Sequence, residues 1–148
     1  MKKTIIIMML MTLCSLVCKS QSITIEDLKG GVWYDLEVAS NERDYYIFTD
    51  SVVISTYDCI IKGNWESVSN IRPYYLIEEL PDSLETYNFD FSKVGKNTSG
   101  KYFVEWNEKM NQTLFFQIVS FSEESIVRKY IRPNYPFTPA ITYKRRFE

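Results

Sequence analysis

Residues 101–121 read KYFVEWNEKMNQTLFFQIVSF, and their reading decides the fold. Tyr102, Val104 and Trp106 alternate with Lys101 and Glu105, and Leu114, Phe116 and Ile118 alternate with Thr113 and Gln117. A period of two belongs to a β-strand, whose successive side chains point to opposite faces. Between the two runs stands only Asn107-Glu108-Lys109-Met110-Asn111, a polar link of hairpin length. Strands joined in this way pair antiparallel and turn one apolar face toward a shared interior.

The same rhythm extends in both directions. Strand-like segments cover residues 32–38, 44–49, 52–57, 60–67, 74–79, 85–92, 101–106, 113–121, 125–132 and 141–147. Pro73 and Pro81 bracket the fifth, at ends where no ladder donor is lost. Beyond residue 20 there are only two alanines, Ala39 and Ala140, against all 23 aromatic residues, a composition that favours pleated sheet. No helix-length pattern separates the strands, which argues against a parallel α/β sheet. One helical turn is expected at residues 24–29, capped by Thr24 with Asp27 three residues on and stopped at Gly30-Gly31.

These signals predict an all-β domain, an antiparallel up-and-down β-barrel of eight to ten strands, with a β-sandwich as the alternative. The alternating sets predict an interior lined by Tyr46, Phe48, Tyr87, Phe89, Phe91, Tyr102, Trp106 and Phe116. Tyr45, Phe103 and Phe115 then fall on the opposite face, partly exposed or beneath a covering segment. Pro133, Pro136 and Pro139 stand at every third residue, the repeat of a stiff polyproline II link. It is read as a crossover over a barrel end with Tyr135 and Phe137 packed inward.

The first 20 residues have the layout of a secretory signal: Lys2 and Lys3, an apolar run over residues 4–17, and Ser20 at a cleavage point. The run is too short for a membrane-spanning helix, which needs roughly 20 apolar residues. The expectation is an exported protein, periplasmic or secreted, with residues 21–148 as a single domain; lipid attachment at Cys18 is the alternative. Cleavage after Ser20 leaves 128 of the 148 residues and removes three of the 17 basic residues but none of the 19 acids, for a net charge of −5. An acidic domain is a poor partner for nucleic acid, whose phosphates are bound by clustered Lys and Arg. Only Cys59 remains as a thiol, so no intrachain disulfide forms, and a small buried hydrophobe is its expected role.

Gly31-Val32-Trp33 at the start of the first long strand, and the basic last strand Tyr143-Lys144-Arg145-Arg146-Phe147, give the chain a resemblance to small bacterial lipocalin-like proteins. The hairpin around Ser122-Glu123-Glu124 is similar to one near the end of such proteins. The resemblance implies a calycin-type barrel in which Trp33 closes one end and Arg145 or Arg146 packs across its ring. Lipocalins proper often add disulfides and a long helix after the last strand, and neither is present. Arg128-Lys129-Tyr130 imitates the R-x-Y element with which fatty-acid-binding proteins hold a carboxylate. That family, however, inserts two helices between its first two strands, and here only residues 39–43 intervene; the element is read as coincidence.

The chain has no histidine, G-x-G-x-x-G or P-loop, which removes the usual general base and most transition-metal sites; no metal or cofactor is expected. A carboxylate pair among Glu66, Glu78, Glu105 and Asp58 is the remaining route to a hydrolase, and no catalytic residue is assigned. The expected function is non-catalytic binding of a small apolar or amphipathic ligand in the barrel cavity. The alternative is a protein-interaction or inhibitor module with a filled core, meeting an exported partner through Tyr74-Tyr75, Tyr45 and the proline segment. Saccharide binding on a surface aromatic strip is a third reading.

Overall fold

The computed structural model describes residues 21–135 and 137–147. The segment read as a secretory signal, residues 1–20 with Cys18, lies outside the described residues. Ten strands are present: β1 Ile23–Thr24, β2 Val32–Asp35, β3 Glu42–Phe48, β4 Val52–Ile61, β5 Asn64–Ile77, β6 Ser99–Gly100, β7 Tyr102–Asn107, β8 Gln112–Phe121, β9 Ser125–Ile131 and β10 Ala140–Arg146. Eight of them close an antiparallel barrel in the order β10-β2-β3-β4-β5-β7-β8-β9, while β1 and β6 form a separate two-stranded ladder. Each barrel strand pairs with the next in the chain, and β10 returns to β2 with Arg145 opposite Trp33. Closure leaves the barrel itself without an unpaired edge strand, which is how a sheet of this size avoids edge-to-edge association.

The expected helical turn is α1, Ile25–Leu28. Thr24 accepts from the Asp27 backbone N–H while the Asp27 side chain accepts from the Thr24 backbone N–H, a complete capping box. Ile23, Ile25 and Leu28 are buried and join the cluster that contains Trp33, so β1 and α1 plug the barrel end where β2 begins. β6 passes close over this end. A Cβ on Gly100 would stand 2.1 Å from the Ile77 carbonyl oxygen, so only glycine fits.

Several segments depart from the sequence reading. Residues 52–67 fold as one long hairpin whose turn is Lys62-Gly63, both at positive φ (52° and 84°), the geometry of a type I′ turn. Pro73 lies inside β5, opposite Val52. Its neighbour Tyr74 donates toward the β4 side, to the Ser51 carbonyl, so the proline nitrogen faces β7. There the ladder has already ended at Tyr74, and no bond is lost.

Residues 85–92 are not a strand. Residues 78–98 run irregularly, with one 3₁₀ turn at Phe91–Lys93, across the outside of the barrel. Side chains rather than a ladder hold this strap: Tyr75 and Tyr87 hydroxyls meet at 2.7 Å, and the Asp90 N–H donates to the Tyr75 hydroxyl at 3.1 Å. Beneath it lies a second core of Tyr75, Phe89, Val104 and Phe115, flanked by Leu80, Leu84 and Trp106. β5, β7 and β8 are thus buried on both faces. No helix among the described residues is long and apolar enough to cross a membrane.

Candidate functional site

The end of the barrel at which β2 starts is sealed. Trp33 is fully buried and donates from Nε1 to the Leu28 carbonyl at 2.9 Å. The Arg145 guanidinium lies 4.9 Å from its ring centroid and donates to the Asp27 carbonyl at 3.2 Å. Gly31 makes room for this arginine, since a Cβ there would stand 2.9 Å from Arg145 Cγ and Nε. Arg146 points outward and covers Tyr34 instead. An indole and a cation in this arrangement combine apolar burial with attraction to the ring face.

Above this floor the inward side chains are Phe48, Tyr74, Phe103, Ile118 and Ile126, all buried. The next layer is ionic. Glu105 is fully buried and accepts from Arg72 Nε at 2.8 Å and from Arg128 Nη2. Arg128 is 4% exposed, and its guanidinium lies 4.3 Å from the Phe116 ring, 4.5 Å from Phe103 and 5.2 Å from Tyr46. Burial opposes its charge, but Glu105 and the oxygens of Tyr46 and Tyr143 more than compensate and raise its pKa further. Among the described residues its Nε has no hydrogen-bond partner.

Tyr46 and Tyr143 meet edge to face at 4.9 Å, and burial pushes both phenols above their ordinary range. Asp44 completes the layer on the side of β3. Burial, reinforced by the Asp35 carboxylate, pushes its carboxyl up to about 6, against a smaller pull from Arg128 and Arg72. Two arginines therefore share one fully buried carboxylate, with a second carboxyl that takes up a proton near neutrality.

Beyond this layer the barrel opens. A cavity of about 360 Å³ lies between β8, β9, β10 and the loop 132–139, with Arg128, Phe116, Ile141 and Tyr143 at its base and Tyr130, Arg132, Tyr135 and Phe137 around its rim. Among the lining residues only Arg128 and Arg132 carry charge. Tyr135 and Phe137 are exposed, Phe137 at 95%, and do not pack inward as the proline spacing suggested. The loop is instead tied back by Thr138, whose hydroxyl donates to the Tyr130 carbonyl, and by a bridge between Arg132 and Tyr135.

The eight residues expected to line the interior divide. Tyr46, Phe48 and Phe116 face inward, on Arg128 and on one another's cluster. Tyr102 and Trp106 point outward, because Phe103 and Glu105 occupy the interior and neighbours along a strand alternate. Tyr87, Phe89 and Phe91 belong to the outer strap, where Phe89, Phe91 and Trp106 pack with centroids 4.8–5.9 Å apart. These outer residues border a second groove of about 650 Å³ between the strap and the β7–β8 hairpin, which meets the mouth cavity at Tyr130. Tyr102 belongs to neither; it lies beside Leu80 and Gln117 on the outer wall.

Of the residues weighed as an interaction surface, Tyr74 and Tyr75 are fully buried, one on each side of β5, and Tyr45 is half-buried against Tyr34. Of the four candidate carboxylates, Glu105 alone is buried, and it faces two arginines rather than a second acid. Cys59 is half-buried on β4. Arg128 and Tyr130 were set aside in the R-x-Y element, yet both face inward, because residues two apart on β9 share a face and the register places them opposite Ile118 and Phe116. Compared with known protein families, with curated proteins and with solved structures, the chain has no match.

Proposed function

We propose that this protein is an exported, non-catalytic binding protein of lipocalin-like build that takes an amphipathic ligand into the barrel mouth. The observation that carries this reading is the mouth cavity, apolar and aromatic over most of its wall and charged only at Arg128 and Arg132. Its volume of about 360 Å³ falls in the lower part of the range of about 300–1,000 Å³ for small-ligand sites. An apolar body fits against Phe116, Ile141 and Tyr143, and an anionic head group finds the two guanidinium groups. The exposed Arg132 at the rim, with Arg128 at the base and no acid in the lining, favours an anionic rather than a neutral head.

Titration with the anionic, apolar dye 1-anilinonaphthalene-8-sulfonate tests the reading. The expected result is saturable one-to-one binding, displaced by dodecanoate more effectively than by dodecanol. Ile141→Trp fills the cavity from a half-buried wall position and should abolish the signal. Dye binding that does not saturate, or that persists in Ile141→Trp, would overturn it. Fractionation of the producing cells, with the mass of the mature N-terminus, separates a released protein from one held through Cys18.

A second reading is favoured by the β4–β5 hairpin. Ile60 and Trp65 stand opposite each other on it, 39% and 44% exposed on one face, an apolar patch of the kind that meets protein partners. Capture of an exported partner that is lost in Trp65→Ser, with no dye binding, would establish this reading in place of the first.

A further inference from the structure

The outer groove is chemically unlike the mouth. On one wall stand the ring of Phe91, 57% exposed, and the half-buried indole of Trp106, locked together at 5.8 Å in an edge-to-face contact. On the other sides lie Asn88, Asn111 and Gln112, residues that carry side-chain amides. Among the described residues no hydrogen bond engages the amides of Asn88 or Asn111, and Gln112 reaches only the Met110 sulfur at 3.7 Å. The one charged lining residue is Glu85, whose carboxylate accepts from Asn134 at 3.5 Å.

This lining selects among ligand classes. A purely apolar ligand would cover three amides without giving them hydrogen bonds, at a cost for each of about 1–3 kcal/mol. An anionic ligand meets Glu85 and finds no cation in the lining. A neutral polyol with an apolar C–H face suits both halves, because amides donate and accept at once and an aromatic face packs on aliphatic hydrogens. The edge-to-face packing of Phe91 and Trp106 holds the platform in place before a ligand arrives, so little ordering cost remains.

We infer that the groove between the outer strap and the β7–β8 hairpin is a binding site for a neutral saccharide, with Phe91 and Trp106 as the stacking platform and Asn88, Asn111 and Gln112 as the hydroxyl-reading groups. The site shares Tyr130 with the rim of the barrel mouth but does not rest on the function proposed for the mouth.

Maltohexaose, cellohexaose and chitohexaose are the probes, each titrated into the full domain while Trp fluorescence and saturation-transfer NMR are recorded. At least one should bind saturably with a Kd of about 0.1–1 mM, the range of a shallow open site. Phe91→Ala and Gln112→Ala should each weaken it roughly tenfold or more, and Phe137→Ala at the barrel mouth should leave it unchanged. Circular dichroism and the urea midpoint confirm that each variant is folded. No binding of any of the three up to about 10 mM, or binding that survives both groove variants, or binding lost in Phe137→Ala, would overturn the assignment.

Discussion

Glu105 holds together the interior charge layer, and Glu105→Gln isolates its contribution. The amide keeps the shape of the side chain and removes its charge, leaving Arg128, 4% exposed, without a buried anion, and leaving Arg72 with a weaker acceptor. Removing one partner of a buried ion pair costs about 3–5 kcal/mol, because the remaining charge has lost its solvent and gained nothing. The Arg72 side chain is 14% exposed and can recover some hydration, which places the expectation at about 3–4 kcal/mol. The double variant Glu105→Leu with Arg128→Met removes that pair and its desolvation, although Arg72, 14% exposed, still loses its carboxylate, and it should be more stable than Glu105→Gln. Urea unfolding followed by tryptophan fluorescence reads both values by linear extrapolation. A loss below about 1 kcal/mol in Glu105→Gln, or a double variant no more stable than the single one, would refute this account of the interior.

Trp33→Ala should lose about 3–5 kcal/mol as a truncation of a fully buried indole, while Trp33→Phe, which mainly forfeits the bond to the Leu28 carbonyl, should lose about 1–2 kcal/mol; equal losses in urea would argue against that bond. Gly100→Ala should fail to give a native-like thermal transition, since its Cβ would overlap the Ile77 carbonyl; normal unfolding would mean that β6 does not sit there. Asp44 sets a pH dependence. Its folded pKa of about 6 exceeds the unfolded value of 3.8, so between those values the folded state holds the extra proton and stability falls as pH rises, levelling off above about 6. With allowance for its partial exposure the loss is about 1–2 kcal/mol, and it should vanish from the difference curve in Asp44→Asn; identical pH profiles for the two proteins would refute it. The same ionisation adds a negative charge beside Arg128, so binding of the anionic dye should weaken as pH rises through 6 in wild type and not in Asp44→Asn; a wild-type affinity flat from pH 5 to 7 would refute the coupling.

Local chemistry made much of this fold legible. Thr24 and Asp27 announce the capping box within four residues, and the alternating runs with short polar links announce antiparallel strands paired in chain order. The pairing of Trp33 with Arg145 was expected from a resemblance rather than from spacing, and the choice between Arg145 and Arg146 needed the register. Arg145 lies directly opposite Trp33 and shares its inward face, whereas the next residue must point out. The candidate site was only partly legible. Tyr46, Phe48 and Phe116 face the interior as their alternation implied; Arg128 and Tyr130 also do, although the R-x-Y element reads as coincidence from the sequence because the family that carries it inserts two helices between its first strands.

The sequence by itself determined that the chain forms antiparallel β-sheet, since a period of two is read within a strand without its partner, while closure into a barrel rather than a sandwich was decided by the long-range pairing of β10 with β2. Only the tertiary structure decided which face of β7 is the inside. Tyr102, Val104 and Trp106 form the more apolar set, so hydrophobic alternation turns them inward; in the folded protein Phe103 and Glu105 take that place. Two long-range facts reverse the choice. The strap at residues 78–98 covers the outer face with Phe89 and Leu84, removing the cost of placing apolar residues there. Arg72 and Arg128, 33 and 23 residues away from Glu105 along the chain, neutralise a carboxylate that would otherwise be excluded from the interior. Burial on both faces erases the polar side by which one sequence alone tells inside from outside.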